Sequence, residues 1–149
     1  MHKVGELPAE KLMRRRFSRV NTTDDIKDVI RILLKGDTSV VTVFYRNKFV
    51  GEIHELDILK LAVDPREIPK EEVITLGVSV DMGYFAKTAE DIVRRHEIAI
   101  SPETKIKEAS FTMLKSGLRA IPVMKDSKLL GILMERDILK RIVERRLEK

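Results

Sequence analysis

Two hydrophobic patterns alternate along this chain of 149 residues. From residue 25 to residue 34, apolar side chains recur every three or four positions, which predicts an amphipathic helix. Thr23 or Asp24 comes just before this stripe, and we expect one of them to cap the helix. Residues 39–45 form a β-branched run, followed by the polar pair 46–47 and a second apolar run, which is typical of a β-hairpin.

The chain contains these patterns twice. Residues 9–60 align without a gap with residues 89–140, which is a register shift of 80 residues. The alignment superimposes identical residues, among them Gly51 on Gly131 and an unbroken Asp-Ile-Leu-Lys run on its copy at 137–140. We therefore interpret the chain as an internal duplication.

Each copy is predicted to contain a strand, a helix, two strands and a second helix, which gives an α+β fold. The helical stripe of the second copy ends at Ser116-Gly117, a natural helix stop, and residues 17–20 and 98–100 are the predicted first strands. Pro65 and Pro69 lie in the segment that joins the copies. The predicted division is residues 1–63 for the first repeat, 64–86 for the linker and 87–149 for the second repeat.

The repeated ends resemble those of the CBS domain. Residues 51–59, Gly-Glu-Ile-His-Glu-Leu-Asp-Ile-Leu, and residues 131–139, Gly-Ile-Leu-Met-Glu-Arg-Asp-Ile-Leu, are similar to the strand-to-helix junction of that family. Residues 91–104 are similar to its opening strand and helix cap, and residues 118–123 to its second strand. Two such domains in tandem resemble a Bateman module, and the resemblance covers about residues 9–147.

This resemblance implies two β-α-β-β-α repeats related by a pseudo-twofold axis, with two clefts between the copies. It implies a regulatory ligand-sensing module whose ligand is an adenosine derivative such as AMP, ADP, ATP or S-adenosylmethionine. Paired modules of the family often form a disc, so we expect a homodimer in which the last helix contributes an apolar stripe. Because the resemblance covers nearly the whole chain, we expect a stand-alone module.

The resemblance also assigns roles to particular residues. Asp57 and Asp137 match the ribose-binding position of the family, and one carboxylate can accept both hydroxyls of a vicinal diol. Arg119 matches a position that binds phosphate in some members, and Arg136 lies beside Asp137. The candidates for an apolar adenine slot are Ile100, Ala120 and Pro122.

Both copies depart from the family three residues before the aspartate, where serine or threonine is usual. Met134 stands there in the second copy and could pack against adenine or a methylthio group. His54 stands there in the first copy and could bond a phosphate if protonated.

The first copy departs further, because Ser39 replaces the arginine and Thr42 replaces the proline of the second copy. The first cleft thus loses a cation and a rigid strand start. We therefore expect the Asp137 cleft to be the better ligand site and the Asp57 cleft the weaker one.

Composition narrows the alternatives. The 29 Lys and Arg outnumber the 24 Asp and Glu by five, a modest excess that favours phosphate-bearing partners. No apolar segment approaches the ~18 residues of a spanning helix, so we expect no membrane partner. The absence of cysteine excludes disulfides, thiolate nucleophiles and thiolate metal sites. Aromatic residues make up 5% of the chain and tryptophan is absent, which argues against a base-stacking platform.

The first six residues contain no secretory signal, so we expect a cytoplasmic protein. The density of lysine and glutamate is typical of a thermophilic source. The three histidines lack metal-ligand spacing, and no phosphate-binding glycine loop, His-Glu-x-x-His or Gly-x-Ser-x-Gly motif is present. We expect no enzyme activity, no metal and no cofactor beyond a regulatory nucleotide.

Each candidate residue also has a structural explanation. A carboxylate in a first helical turn stabilises the helix through its dipole, and Gly51 and Gly131 can allow a close backbone approach. The basic runs 14–16 and 94–96 are either solvated faces or a patch for polyphosphate or nucleic acid. The alternative function is therefore a constitutive protein-interaction scaffold, or a weak nucleic-acid binder with degenerate nucleotide clefts.

Overall fold

The computed structural model describes residues 3–36, 38–69, 71, 83–95 and 98–147. Residues 70 and 72–82 of the predicted linker, and residue 96 of the second basic run, lie outside the described residues. The chain divides into two compact units. Unit 1 consists of Met1–Phe17 and Glu97–Lys149, and unit 2 consists of Ser18–His96.

Unit 2 contains the predicted strand-helix-strand-strand-helix order. Its elements are β1 (Arg19–Asn21), α1 (Ile26–Lys35), β2 (Val40–Tyr45), β3 (Lys48–His54) and α2 (Glu55–Ile58). Strand β2 pairs in parallel with β1 and antiparallel with β3. The second helix is shorter than the apolar pattern predicted, because its α-helical part gives way to a 3-10 helix at Leu59–Ala62. Further 3-10 helices are Pro65–Glu67 and Ala89–Asp91.

Unit 1 contains the equivalent elements α3 (Ile106–Ser116), β4 (Ala120–Lys125), β5 (Lys128–Met134) and α4 (Glu135–Leu147). Strands β4 and β5 form an antiparallel pair. The 3-10 helices Lys3–Glu6 and Ala9–Lys11 precede them in the chain. The mixed α+β class is confirmed, and both copies contain the predicted helix-strand-strand-helix order.

Both hairpins turn through two residues with positive φ. Arg46 and Asn47 have φ of 48° and 65°, and Asp126 and Ser127 have φ of 51° and 64°. Positive φ at both central residues is what a type I′ turn requires, and such turns match the twist of the two strands they connect. The hairpins predicted from the polar breaks are confirmed.

The first strand of the second copy is reduced to a single parallel bridge between Ile100 and Val123. In unit 2, the backbone N–H groups of Thr22 and Thr42 donate across the equivalent pair of strands. The second copy has Pro102 and Pro122 at those two positions, and proline has no N–H to donate. The prediction of a strand over residues 98–100 was therefore wrong in extent.

The N-cap of helix α1 lies one residue after Asp24, the later of the two predicted caps. The Asp25 side chain accepts a hydrogen bond of 2.8 Å from the Lys27 N–H, so Asp25 caps the helix. Asp24 instead accepts from the Asn21 N–H at 2.8 Å. The prediction of Thr23 or Asp24 as the cap was wrong, because Asp24 bonds backwards into the preceding turn.

The segment that opens each sequence copy packs with the helices and strands of the other copy. In unit 1, Val4, Ala9 and Met13 belong to the same buried cluster as Ile106 and Leu133. Burial of these apolar side chains is the main stabilising contribution available to such a unit. Residues 4–13 therefore contribute to the core of a unit that is otherwise built from the second copy.

Unit 2 repeats this arrangement with Ala86, Ala89 and Ile92, which lie in one cluster with Val29 and Ile53. Sequence repeats and compact units are consequently two different divisions of this chain. The boundaries 1–63, 64–86 and 87–149 stay predictions for the repeats, whereas the compact units divide after Phe17 and after His96. Among the residues the structure describes, no helix is both long enough and apolar enough to span a bilayer.

Candidate functional site

A glycine in the last strand of unit 1 admits the backbone of Arg14. A Cβ on Gly131 would lie 2.5 Å from the Arg14 carbonyl oxygen, closer than real side chains approach backbone. Arg14 and Ile132 exchange two backbone hydrogen bonds of 2.8 and 2.9 Å beside it. The predicted close backbone approach at this glycine is confirmed.

This backbone bridge brings the Arg14 side chain to the start of helix α4. Arg14 Nε donates to Asp137 Oδ2 at 2.8 Å, and its terminal nitrogen donates to Oδ1 at 3.2 Å. The guanidinium is planar, so a two-pronged contact with a carboxylate is its favoured geometry. The pair is partly buried, with side-chain exposures of 24% for Arg14 and 18% for Asp137.

Unit 2 contains the same construction at residues shifted by 80. A Cβ on Gly51 would overlap the Arg94 carbonyl oxygen, and Arg94 exchanges backbone hydrogen bonds with Glu52. Arg94 Nε donates to Asp57 Oδ1 and Oδ2 at 2.9 and 2.8 Å, and a terminal nitrogen lies 2.7 Å from Oδ1. The duplication thus extends to a matched arginine–aspartate ion pair in each unit.

Asp57 is held more completely than Asp137. Its side chain is fully buried, and it accepts a further hydrogen bond from the His54 backbone N–H at 3.0 Å. Lys60 Nζ lies 3.5 Å from Oδ1. Burial opposes ionisation of Asp57, but the hydrogen bonds from Arg94 and His54 and the charges of Arg94 and Lys60 outweigh it and lower its pKa. The hydrogen bond to Asp57 likewise raises the pKa of Arg94.

Around Asp137 the structure brings together several of the residues assigned from the sequence. The Glu135 N–H donates to the Arg119 carbonyl at 2.9 Å, which places the exposed Arg119 against the start of α4. Buried Ala120 and Met134 are opposite partners in the hairpin. Arg136, next to Asp137, is exposed to solvent.

The remaining candidates of unit 1 lie on the neighbouring strand segment. The Ile100 N–H donates to the Pro122 carbonyl at 3.0 Å, and Pro122 pairs with Ile132 across the hairpin. Pro122, Ile132 and Met134 are all buried. This end of the sheet is apolar, as an adenine-binding surface would require.

The equivalent surroundings of Asp57 are polar. The Glu55 N–H donates to the Ser39 carbonyl at 2.8 Å, which is the counterpart of the contact at Arg119. Buried Thr42 donates its hydroxyl to the Ser18 carbonyl at 2.7 Å. Buried His54 Nε2 lies 3.3 Å from Glu52 Oε1, and Glu52 is 1% exposed. A carboxylate and an imidazole therefore stand where unit 1 has Ile132 and Met134.

The arginines of the two ion pairs were missed at the sequence level, where residues 14–16 and 94–96 were interpreted as solvated faces or a polyphosphate patch. A signal was available, because Arg14 and Arg94 are identical residues in register with the repeat, as Asp57 and Asp137 are. The two copies share the arginine as well as the aspartate, so the repeat pointed to both members of the ion pair.

The arrangement around Asp137 is suited to binding a ligand through hydrogen bonds to the carboxylate. In unit 1, a partly exposed acceptor lies at a helix start, with cations and an apolar sheet end beside it. Within the described ranges, no three histidine, aspartate or glutamate side chains are grouped as metal ligands.

The sequence profile of the CBS domain matches residues 4–64 and 89–144. The uncharacterized protein MJ1426 of Methanocaldococcus jannaschii is 27% identical over an alignment of 157 positions, which covers 93% of this chain and 94% of that protein. The chain spans 42%, 12% and 15% of the lengths of three further curated relatives.

Solved structures with the same fold include CBSX2 in complex with AMP. It has a TM-score of 0.78 at 17% identity and covers 93% of this chain and 97% of that one. The CBS domain pair of protein MJ0100, in complex with 5′-methylthioadenosine and S-adenosyl-L-methionine, has a TM-score of 0.73 at 18% identity, with coverage of 93% and 97%. Similarity at these identities shows the fold.

Proposed function

The chain belongs to the CBS domain family, with two family segments in tandem, and from this premise we propose that it is a regulatory module that binds an adenosine derivative. Solved proteins of the same fold hold AMP, or 5′-methylthioadenosine with S-adenosylmethionine. The observation that carries the proposal for this chain is Asp137, a carboxylate that is 18% exposed in the first turn of α4. Its two oxygens suit a ribose diol.

We place the ligand in the Asp137 cleft. Asp137 would accept the ribose hydroxyls, and Arg119 and Arg136 would face phosphate as exposed cations. Ile100, Ala120, Pro122 and Met134 would provide the apolar surface for adenine. Asp57, with His54 and Ser39 nearby, is the weaker candidate, because its carboxylate is fully buried under Arg94.

Signalling would follow from differential affinity. A ligand shifts an equilibrium between two arrangements only by the difference in its affinity for them. Asp137 is bonded to Arg14, which belongs to the segment Met1–Phe17 that contributes to the core of unit 1. A ligand that changes this pair would therefore act on the opening segment of the chain. We assign no catalytic step to any residue.

Thermal unfolding with a ligand panel tests this proposal. AMP, ADP, ATP, S-adenosylmethionine and 5′-methylthioadenosine would be added in turn to the wild type, Asp137→Ala and Asp57→Ala. Binding to the folded state raises the midpoint by mass action. We expect a rise with at least one compound, lost in Asp137→Ala and retained in Asp57→Ala. No rise at millimolar concentration of any compound would contradict the proposal and favour the scaffold alternative.

A homodimer is the expected assembly. Leu139 and Val143 are each 55% exposed and lie four residues apart on α4, so they share one face of that helix. Exposed apolar residues on one helical face are typical of an interaction surface. Sedimentation analysis should show a dimer for the wild type and a monomer for Leu139→Glu, with Lys128→Glu in the hairpin as the charge-changing control. A monomeric wild type would contradict the expected dimer.

The two ion pairs make nucleic-acid binding a less favoured alternative than binding of an adenosine derivative. One arginine of each basic run, Arg14 or Arg94, is bonded to an aspartate of its own unit. Binding through the remaining cations would be independent of nucleic-acid sequence and would fall steeply with salt. A steep salt dependence together with no response to adenosyl compounds would support this alternative.

A further inference from the structure

We infer that Arg14 is a specificity-determining latch of the Asp137 site, which a phosphorylated adenosine opens and an uncharged nucleoside opens poorly. This inference rests on the proposed adenosyl function. The ligand's ribose diol would take the place of the Arg14 guanidinium on Asp137. The displaced guanidinium would then pair with the ligand's phosphate.

The first step is competition for the same two atoms. Arg14 uses Nε and a terminal nitrogen to bond both oxygens of Asp137. A vicinal diol that donates both hydroxyls to one carboxylate draws on the same two oxygens, and the two donors would share their acceptor sites. With the Asp137 side chain 18% exposed, the guanidinium leaves little carboxylate surface for a diol beside it. Ligand and Arg14 therefore compete for Asp137.

The ion pair between Arg14 and Asp137 can open more easily than the equivalent pair between Arg94 and Asp57 in unit 2. Arg14 is anchored through its backbone, by two hydrogen bonds to Ile132, so its side chain can rotate without moving the chain. Both side chains of the pair are partly exposed, which keeps its net stabilisation modest. Asp57 is fully buried and is bonded by His54 and approached by Lys60 as well as by Arg94. Removing a partner from such a buried carboxylate is strongly unfavourable.

The third step concerns the charge of the ligand. Once displaced, the Arg14 guanidinium is a cation tethered beside the bound ligand, and a phosphate would pair with it in the two-pronged geometry it already shows on Asp137. An uncharged nucleoside provides no such partner, and a sulfonium would add a second positive charge. The exposed cations Arg119 and Arg136 act in the same direction. The ligand class selected is therefore a phosphorylated adenosine.

Isothermal titration of AMP and of adenosine against three proteins tests the latch. These are the wild type, Arg14→Met, which removes the cation while keeping an apolar stem, and Arg15→Met, which removes a neighbouring exposed cation as the matched control. In Arg14→Met we expect adenosine to bind about fivefold more tightly, because the guanidinium no longer competes for Asp137. The preference for AMP over adenosine should fall by about tenfold. Arg15→Met should keep the wild-type preference.

The outcomes distinguish a failure of the latch from a failure of the adenosyl site itself. Arg14→Met affinities for AMP and adenosine that change by the same factor, or weaker binding of adenosine, would overturn the latch while leaving an adenosyl site in place. No binding of either compound to the wild type or to Arg14→Met would overturn the latch, and the proposed function would fall with it only if the wild type also showed no rise in unfolding midpoint with the full ligand panel. Arg14→Lys provides a second variant if Arg14→Met does not fold. A lysine is a point charge without the fork, so adenosine should bind more tightly while AMP remains preferred.

Discussion

Arg94 bonds both oxygens of Asp57 with donor–acceptor distances of 2.7 to 2.9 Å, and the aspartate side chain has no solvent exposure. The equivalent pair in unit 1, Arg14 and Asp137, is looser and partly exposed. Because a buried charge without its partner is far more costly than an exposed one, the two equivalent ion pairs should respond differently to the same substitution.

Arg94→Met should lower the free energy of unfolding by about 3–5 kcal/mol, because it leaves the Asp57 carboxylate buried without its main donor. Arg14→Met should cost about 1 kcal/mol, as expected of a partly exposed pair. Urea denaturation followed by circular dichroism measures both. The double variant Arg94→Met with Asp57→Asn should recover part of the loss, because no buried charge remains. Equal losses in the two single variants would show that the difference in burial has no energetic consequence.

Asp57 should also make the protein sensitive to acid. Its pKa is lower in the folded state than in the unfolded chain, where an aspartate titrates at about 3.9. The stabilisation is therefore fully present above that unfolded value and is lost as the pH falls through the folded value. Stability measured from pH 7 down to pH 2 should fall below about pH 4 in the wild type and less steeply in Asp57→Asn.

Asp126→Asn is the control for this titration, because Asp126 lies in a positive-φ turn that asparagine also adopts readily. Its pH profile should follow that of the wild type. An Asp57→Asn profile as steep as the wild type would assign the acid sensitivity to other carboxylates.

Alanine at either strand glycine should be severely destabilising. In Gly51→Ala the new methyl would overlap the Arg94 carbonyl, and in Gly131→Ala it would lie 2.5 Å from the Arg14 carbonyl. Overpacking against backbone costs about 1–3 kcal/mol or more, and it would also displace the arginine of each ion pair. Thermal unfolding should show a large fall in midpoint for both variants.

Gly117→Ala is the matched comparison, since its φ is 74° but no atom lies within 4 Å of the added methyl. It should cost only the strain of a left-handed residue, about 1 kcal/mol. A Gly117→Ala variant as damaged as Gly131→Ala would mean that backbone strain outweighs the close approach.

Helices α1 and α3 begin differently, which predicts different costs of truncating their caps. Asp25→Ala removes the acceptor of the Lys27 N–H at the start of α1 and should cost about 1 kcal/mol. Lys105 at the start of α3 makes no side-chain cap bond, and its ammonium pairs with the exposed Glu6 at 3.0 Å. Lys105→Ala should therefore cost less than Asp25→Ala. A reversed order in urea denaturation would show that the Glu6 pair matters more than the cap.

The same Glu6 accepts hydrogen bonds from Lys107 and Lys105, and these bonds, together with the charges of the two lysines, lower its pKa to about 2. Both lysines lie at the start of α3, whereas Glu6 lies far from them in sequence, in the first chain segment of unit 1. Spacing along the chain gives no indication of this contact.

Local pattern was sufficient for most of the elements. Apolar periodicity identified the helices, and polar breaks identified turns whose residues adopt positive φ. Local pattern failed where the presence of a backbone N–H group decided whether a strand forms. Pro102 and Pro122 lack the N–H groups that Thr22 and Thr42 donate, so the expected strand at 98–100 became one bridge.

The amino-acid sequence alone determined the duplication, the order of elements and the placement of Asp57 and Asp137 just after a strand, because these depend on periodicity and on residues close together in the chain. Only the tertiary structure decided that Arg14 bonds Asp137, 123 positions away, and that Arg94 bonds Asp57. Such a pairing depends on which backbone segments pack together, here beside Gly51 and Gly131. That packing is set by burial across the whole unit rather than by any local pattern.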